Sequence, residues 1–582
     1  MAGFLAVAAA AAVAVAAVLR LVYLRLLPRP IPGIPCNKDS TTRLMGDAPY
    51  FIELGKSGAF WITFFTDLLA RHNTPIAQYF TGPLSGAHVV VADYREARDL
   101  MTKRGKDLAR GSKNNHVWQG VLPEHFIAME DFHPSFKHAK FLTKDLMTPS
   151  FLHGVSAPAS YKTVVNFIKF WKRKAVLADG LPFDAADDLE GFTYDIMMTA
   201  AFGIAEQDSH TVDRLNTPQT AKDVRLVGDG PGKVAEFPPI KIPEMISTLH
   251  VLNDSLNGAF WSGKPAVFHA VNNLRPSVRR AFGSKRSIIQ SHIDRSVEKQ
   301  LSSRGGSKED FASAVDYVVS REISAAENDG RRPVFDSLRL NDMLWGYFVG
   351  GHDSTHSTLC FTVKYLGDNQ DAQSRLRGAL RAAYPEAREQ GREPTVDEIV
   401  KTQVPFLDAF IEETLRLCSP AGGVTKQTLC DMTVLGHFIP KGTTILFLLT
   451  GPTINLPGAE VDEARRSETS QKTSGEGVGD WSRSRFPPGE FHAERWLHAD
   501  ENGGSVRFDN RAGPFLSFSN GPRGCWGKRL AYLELKLIIT LLVWDLKFAR
   551  LPEELRDDGL VQGLFTKPKS CLVKLESLSV TG

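Results

Sequence analysis

The stretch Phe518-Ser519-Asn520-Gly521-Pro522-Arg523-Gly524-Cys525-Trp526-Gly527 sets a single cysteine among glycines, just ahead of a strongly apolar helical run. Glycines on either side let backbone N–H groups approach the sulfur, and the N-terminal end of the following helix favours a thiolate there. Such a sulfur suits ligation of iron, with Phe518 to shield it and Arg523 to pair with an anionic group. A second stretch, Gly350-Gly351-His352-Asp353-Ser354-Thr355, sits inside a long apolar segment. Each glycine inside a helix costs about 1 kcal/mol relative to alanine, so the pair needs a reason. Close helix packing is one reason; a groove widened for a small ligand beside a carboxylate and a hydroxyl is the other. A third set is Glu413 and Arg416, which share a helix face at i and i+3, with Arg495 as a further partner.

The elements that must hold these groups are mostly helical. Apolar residues recur at broadly helical spacing over 163–177 and 282–300. The run 339–366 has no proline and reads as a buried central helix. Further helices are expected over 376–383 and over 395–417, the latter broken at Pro405, and over 527–549. Short strands are expected at 87–91, 433–439, 443–449 and 571–575. The Gly- and Pro-rich stretch 217–243 reads as a surface loop. The polar, Ser/Gly/Glu-rich stretch 459–488 reads as a solvated, flexible insertion. No internal repeat is present.

Residues 1–27 form an apolar N-terminal segment: Met1 to Leu19 carries no charged side chain and contains ten alanines. Roughly 20 residues cross a bilayer core. Arg20, Arg25 and Arg29 follow the apolar run rather than precede it, which favours an uncleaved anchor over a signal peptide and keeps the remainder cytosolic. Residues 28–35, with Pro28, Pro30, Pro32 and Pro35, form a stiff hinge, leaving 36–582 as the catalytic domain. Across its 582 residues the chain is 42% hydrophobic and 23% charged, enough for a large core. Lys plus Arg is 69 against Asp plus Glu 66, a net charge of +3, so no basic excess marks a nucleic-acid binder. The six cysteines are scattered without a Cys-x-x-Cys pair, against a disulfide scaffold or a zinc cluster.

Phe-x-x-Gly-x-Arg-x-Cys-x-Gly, filled by Phe518, Gly521, Arg523, Cys525 and Gly527, resembles the haem-binding signature of the cytochrome P-450 superfamily, in particular its fungal microsomal members. Glu413-x-x-Arg416 resembles the family's K-helix motif, and Phe491 to Trp496 its Pro-Glu-Arg-Phe segment, with Ala493 in place of the proline. Gly350 to Thr355 resembles the oxygen-activating motif, with serine where threonine is common. The resemblance runs from Pro28 onward and is densest over 339–543.

It implies a mainly α fold with a small β-rich lobe, one catalytic domain behind the transmembrane helix, and haem b with iron held by Cys525. It further implies a buried structural triad of Glu413, Arg416 and Arg495, proton delivery by Asp353 and Ser354, with Thr355 able to share the role, and Lys426 near a haem propionate. His352 is expected to face neighbouring helices. The customary Trp-x-x-x-Arg of the C helix is absent from 136–151, where Lys140 or Lys144 could substitute. Electrons would come from NADPH through a partner flavoprotein reductase, since no nucleotide- or flavin-binding fingerprint occurs here. The expected reaction is hydroxylation or epoxidation of a lipophilic substrate at the endoplasmic reticulum membrane, in secondary metabolism. The alternatives are a reductase-independent isomerase or dehydratase, and a non-catalytic haem binder.

Overall fold

The structure is a computed structural model that describes residues 2–57, 60–83, 86–239, 241–302, 311–473, 481, 484–499 and 506–578. Its N-terminal helix, Ala2–Leu26, is exposed along its length, with mean hydropathy 2.5 over Gly3–Leu26 and none of that window buried. At 1.5 Å per residue it is about 37 Å long, sufficient to cross a bilayer core. No other helix among the described residues is long and apolar enough to do so.

The helical body is organised around Leu338–Asp368, a 31-residue helix with buried residues on every side, which is the signature of a core helix rather than a surface one. Ser337 caps its start, its hydroxyl accepting from the Leu340 N–H at 3.3 Å. Ala186–Phe202 packs along it and stops at Gly203, whose left-handed φ of 66° closes the last turn. Lys528–Asp545 packs behind it and carries the site cysteine just ahead of its first turn.

The expected break at Pro405 separates Val396–Lys401 from Pro405–Leu417, with proline at the first helical position where its missing N–H is not needed. The helix expected over 527–549 is shorter than the sequence suggested. It ends at Asp545, and Leu546–Ala549 becomes a strand antiparallel to Leu572–Ser577, burying alternate residues. The Gly- and Pro-rich stretch likewise contains a small hairpin, Arg225–Val227 with Val234–Glu236.

The β-rich lobe is a mixed five-stranded sheet in the order Ile76–Tyr79, His88–Val91, Thr444–Leu448, Gly423–Thr428, Leu108–Ala109. Only the His88–Val91 and Thr444–Leu448 pair is parallel. Gly423–Thr428 brings its own residues to the edge of the helical body, where the site lies.

The stretch 459–488, read from sequence as a solvated insertion, is tied down where it is described. Arg466 makes a buried two-pronged ion pair with Asp93 at 2.6 and 2.9 Å, and Ser470 is fully buried. Trp481 is buried edge-on against Trp496, 5.2 Å between ring centroids. Composition missed this because a few long-range anchors, not the average polarity, fix the segment. Residues 474–480 and 482–483 of it lie outside the described residues.

Candidate haem-thiolate site

Cys525 sits at the mouth of the loop, its sulfur opening onto a cavity of about 390 Å³ between the central helix, the β lobe and the loop itself. The loop is held by its own backbone: the Cys525 N–H donates to the Phe518 carbonyl at 2.8 Å, and the Gly524 N–H to the Gly521 carbonyl at 3.0 Å. Gly521 adopts a φ of 76°, and a Cβ there would lie 1.9 Å from the Met101 carbonyl oxygen, so only glycine fits. Gly527 has open space where a Cβ would lie; its contribution is an N–H directed at the sulfur.

Burial pushes the Cys525 thiol up, while hydrogen bonds from the Gly527 and Lys528 backbone and the Lys528 charge pull it back without reversing it. The sulfur is accessible from the cavity yet walled by protein on its other sides, which is how it is both open and desolvated. The backbone donors of the loop would stabilise a thiolate, and a bound iron cation would supply the ionisation. Phe518 lines the cavity beside the sulfur, its ring 5.2 Å from that of Tyr532.

One edge of the site is crowded with positive charge. Arg523 donates to Asp131 and to the Phe126 carbonyl, the latter at 3.0 Å, and its guanidinium covers the Phe136 ring at 4.3 Å. The Arg110 N–H donates to the same Asp131 at 3.2 Å. Burial and the neighbouring Arg523 lower Arg110 to about 10; burial and then Arg110 lower Lys426 to about 8. Lys140, over the Phe136 ring at 4.9 Å, is lowered by burial and by Arg523 as well. Four cations around one carboxylate form a site short of negative charge. An apolar cavity, an accessible sulfur with backbone donors and this anion-poor edge fit haem b: Cys525 would hold the iron, and Arg110, Lys426 and Arg523 would face its propionates. The sequence did not single out Arg110 or Asp131; they reach the site only through the fold.

On the opposite wall, the two glycines of the central helix have different reasons. A Cβ on Gly351 would run into the Met197 sulfur at 2.3 Å, so this glycine serves helix packing. Gly350 lines the cavity with nothing within 4 Å of where its Cβ would be. Ser354 and Thr355 also line the cavity. The Ser354 hydroxyl donates to the Gly350 carbonyl at 2.7 Å, whereas Thr355 is buried and hydrogen-bonds the buried Glu534. Burial raises Glu534 to about 8, against the lowering effect of Thr355.

Asp353 points away from the cavity into the protein. It bonds His352 on one oxygen and Asn253 on the other. His352, expected only to face neighbouring helices, is fully buried and bridges to the Glu190 carbonyl. Behind the thiolate loop, Glu413, Arg416 and Arg495 come together as expected and are buried. Ala493 in place of proline leaves the short turn Ala493–Trp496 intact.

A cysteine sulfur at a helix N-terminus, a cation-rich edge and a hydroxyl-lined groove in a central helix together define a haem-thiolate protein. The chain matches the family described as Cytochrome P450 over residues 62–453 and 486–575. It is 32% identical to the cytochrome P450 monooxygenase TRI13 of Fusarium sporotrichioides, over 97% of this chain and 98% of that protein. It is 33% identical to the cytochrome P450 monooxygenase GME11363 of Pestalotiopsis microspora, over 98% of both. A shorter match, 35% identical over 45% of this chain and 86% of the relative, is to the Hps1-dma1 cluster cytochrome P450 monooxygenase cyp3.1 of Dothistroma septosporum. The protein belongs to the cytochrome P450 family and is a haem-dependent monooxygenase. The gap in the family match, 454–485, coincides closely with the polar stretch at 459–488.

Proposed function

We propose that the protein is a microsomal monooxygenase of secondary metabolism that hydroxylates or epoxidises a lipophilic small molecule, with electrons from NADPH passed through a separate flavoprotein reductase. When bound, the haem supplies reductive activation of dioxygen, one oxygen atom going to the substrate and the other leaving as water.

The observation that carries this reading is that Cys525 and Ser354 open onto one largely apolar cavity, with Trp118, Phe260, Val424 and Leu564 among its walls. Such walls favour an apolar substrate and exclude water from the reacting face. Within that cavity, Ser354 offers a hydroxyl that can donate or accept beside the site of chemistry, and Asp353, one residue earlier, offers a buried carboxylate bonded to His352 and Asn253. We assign these two the relay of protons, Thr355 the role of holding the central helix to Glu534, and Arg110, Lys426 and Arg523 that of orienting the cofactor.

The exposed helix Ala2–Leu26 supports anchorage in the endoplasmic reticulum membrane as a single span. Arg20, Arg25 and Arg29 support a cytosolic catalytic domain, where a reductase can reach the Cys525 side. The cluster named in the description of cyp3.1 supports a place in a dedicated biosynthetic route.

The test is reconstitution of the full chain in phospholipid vesicles with an NADPH-dependent flavoprotein reductase. Lipophilic compounds are screened for a shift of the haem absorption band, and those that shift it are turned over under 18O-labelled dioxygen. The reading requires product carrying one 18O atom, formed only with NADPH. Product formed without NADPH and without label would instead assign the reductase-independent isomerase or dehydratase chemistry. A haem protein that binds no such compound and forms no product would be a non-catalytic haem binder.

A further inference from the structure

His352 stands between two acceptors. Its Nδ1 is 3.0 Å from Asp353 Oδ1, and its Nε2 is 3.2 Å from the Glu190 backbone carbonyl. The carbonyl can only accept, so Nε2 carries a proton, and the bond to Asp353 holds whatever further proton the pair shares. The other Asp353 oxygen accepts from the Asn253 side-chain amide, so both oxygens are engaged by protein groups. The ring is stacked on Phe348, with centroids 5.7 Å apart and planes at 20°, and has no accessible surface. The titratable groups around the pair come from three further directions. Glu190 of helix Ala186–Phe202 faces His250 of helix Glu244–Trp261 at 2.9 Å, and His356, one turn on, bonds Lys567 at 3.1 Å.

We propose that His352 is a positioning residue of the proton relay: it clamps Asp353 in one orientation and keeps it a carboxylate. This rests on the reading of Asp353 as the relay acid. The balance of forces supports it. Burial alone pushes Asp353 up, which would leave it protonated and inert. The His352 hydrogen bond and charge, with Lys567 and His356, more than offset that and hold the carboxyl below its usual range. A buried carboxylate without such a partner neutralises itself. A residue in this position that merely filled space would have no effect on the charge of its neighbour.

The experiment uses the full-length, haem-loaded protein as its carbon monoxide complex, with 13C-labelled aspartate, read by infrared difference spectroscopy between pH 6 and 8. The parent should show no protonated-carboxyl band from Asp353. His352→Phe should produce such a band, which disappears when Asp353→Asn is added. If His352→Phe fails to load haem, His352→Leu, which likewise removes both the hydrogen bond and the charge, should show the same band. In the reductase-coupled system, peroxide released per NADPH should rise several-fold in the His352 variant as pH falls from 8 to 6, with a flatter parent profile. Absence of the carboxyl band in a haem-loaded His352 variant overturns the proposal. Asp353→Asn without any change in peroxide release overturns the relay reading instead, and the infrared band then still decides whether His352 sets the Asp353 charge.

Discussion

Glu413 and Arg495, 82 residues apart in sequence, meet at 2.8 Å with both side chains cut off from water. The same carboxylate also receives Arg416 at 2.8 and 2.9 Å, the Trp496 indole at 2.9 Å and the His492 N–H at 2.9 Å. Burial pushes Glu413 up, but the two guanidiniums and these donors hold it below the usual carboxylate range. Removing one member of a buried ion pair costs about 3–5 kcal/mol, because the other charge is stranded. Glu413→Ala and Arg416→Ala should therefore give little folded, haem-loaded protein, measured as haem absorbance per milligram. Because the folded carboxyl is depressed, its contribution is present above the unfolded carboxylate range and lost as pH falls from there through the lower folded value. Normal haem content in both variants would show that the triad does not hold the loop.

Glu534 gives the opposite sign. Its folded carboxyl is raised to about 8, so between about 4.3 and 8 the folded state holds a proton that the unfolded chain has released. Stability then falls as pH rises through this window, by about 1.4 kcal/mol per pH unit for that one proton. Glu534→Gln keeps a partner for Thr355 and cannot ionise. Its melting temperature should therefore decline less than that of the parent between pH 5 and 8. Parallel profiles would mean that Glu534 is not protonated in the folded protein.

Ser354 and Thr355, between which the sequence left the working hydroxyl open, are bonded differently: Ser354 to its own helix, Thr355 to Glu534. Ser354→Ala should raise peroxide released per NADPH while leaving stability nearly unchanged, since its hydroxyl bonds the Gly350 carbonyl of its own helix. Thr355→Val should instead cost about 1–3 kcal/mol by stripping a buried carboxyl of its partner, seen as a lowered melting temperature. The reverse assignment of effects would place the working hydroxyl one residue later.

The Gly521 position allows a test of the loop by geometry alone. Gly521→Ala would add a Cβ at 1.9 Å from the Met101 carbonyl in a backbone region that side chains rarely adopt. The strain of the φ alone is about 1–3 kcal/mol. Reduced haem retention on dilution should follow, whereas Gly350→Ala, with open space beside it, should load haem normally and change only what the cavity admits.

Much of the site was legible because its parts are local in sequence. The Cys525 loop is set by ten consecutive residues, and Glu413 and Arg416 share a face by helical spacing alone. The anchor helix is likewise a run of composition. What the sequence hid was long-range. Asp131 and Arg523, 392 residues apart, are joined only by the fold, as are His352 and Glu190. Arg110 is one arginine among many until the strand Leu108–Ala109 places it at the cavity. Trp481 and Arg466 sit in a stretch whose average polarity points outward, yet each has a buried partner elsewhere. The end of the last helix at Asp545 was missed because an apolar run suits helix and buried strand alike, and the pairing with Leu572–Ser577 decides between them.

The central claim is that Cys525 is the iron ligand, and the absorption spectrum of the reduced protein under carbon monoxide tests it most directly. The parent should show the long-wavelength band that thiolate-ligated haem gives. Cys525→Ala should lose that band, while Cys418→Ala, whose sulfur is 2.9 Å from the Tyr365 hydroxyl, and Cys430→Ala, on the surface, should keep it. Retention of the band in Cys525→Ala would contradict the account.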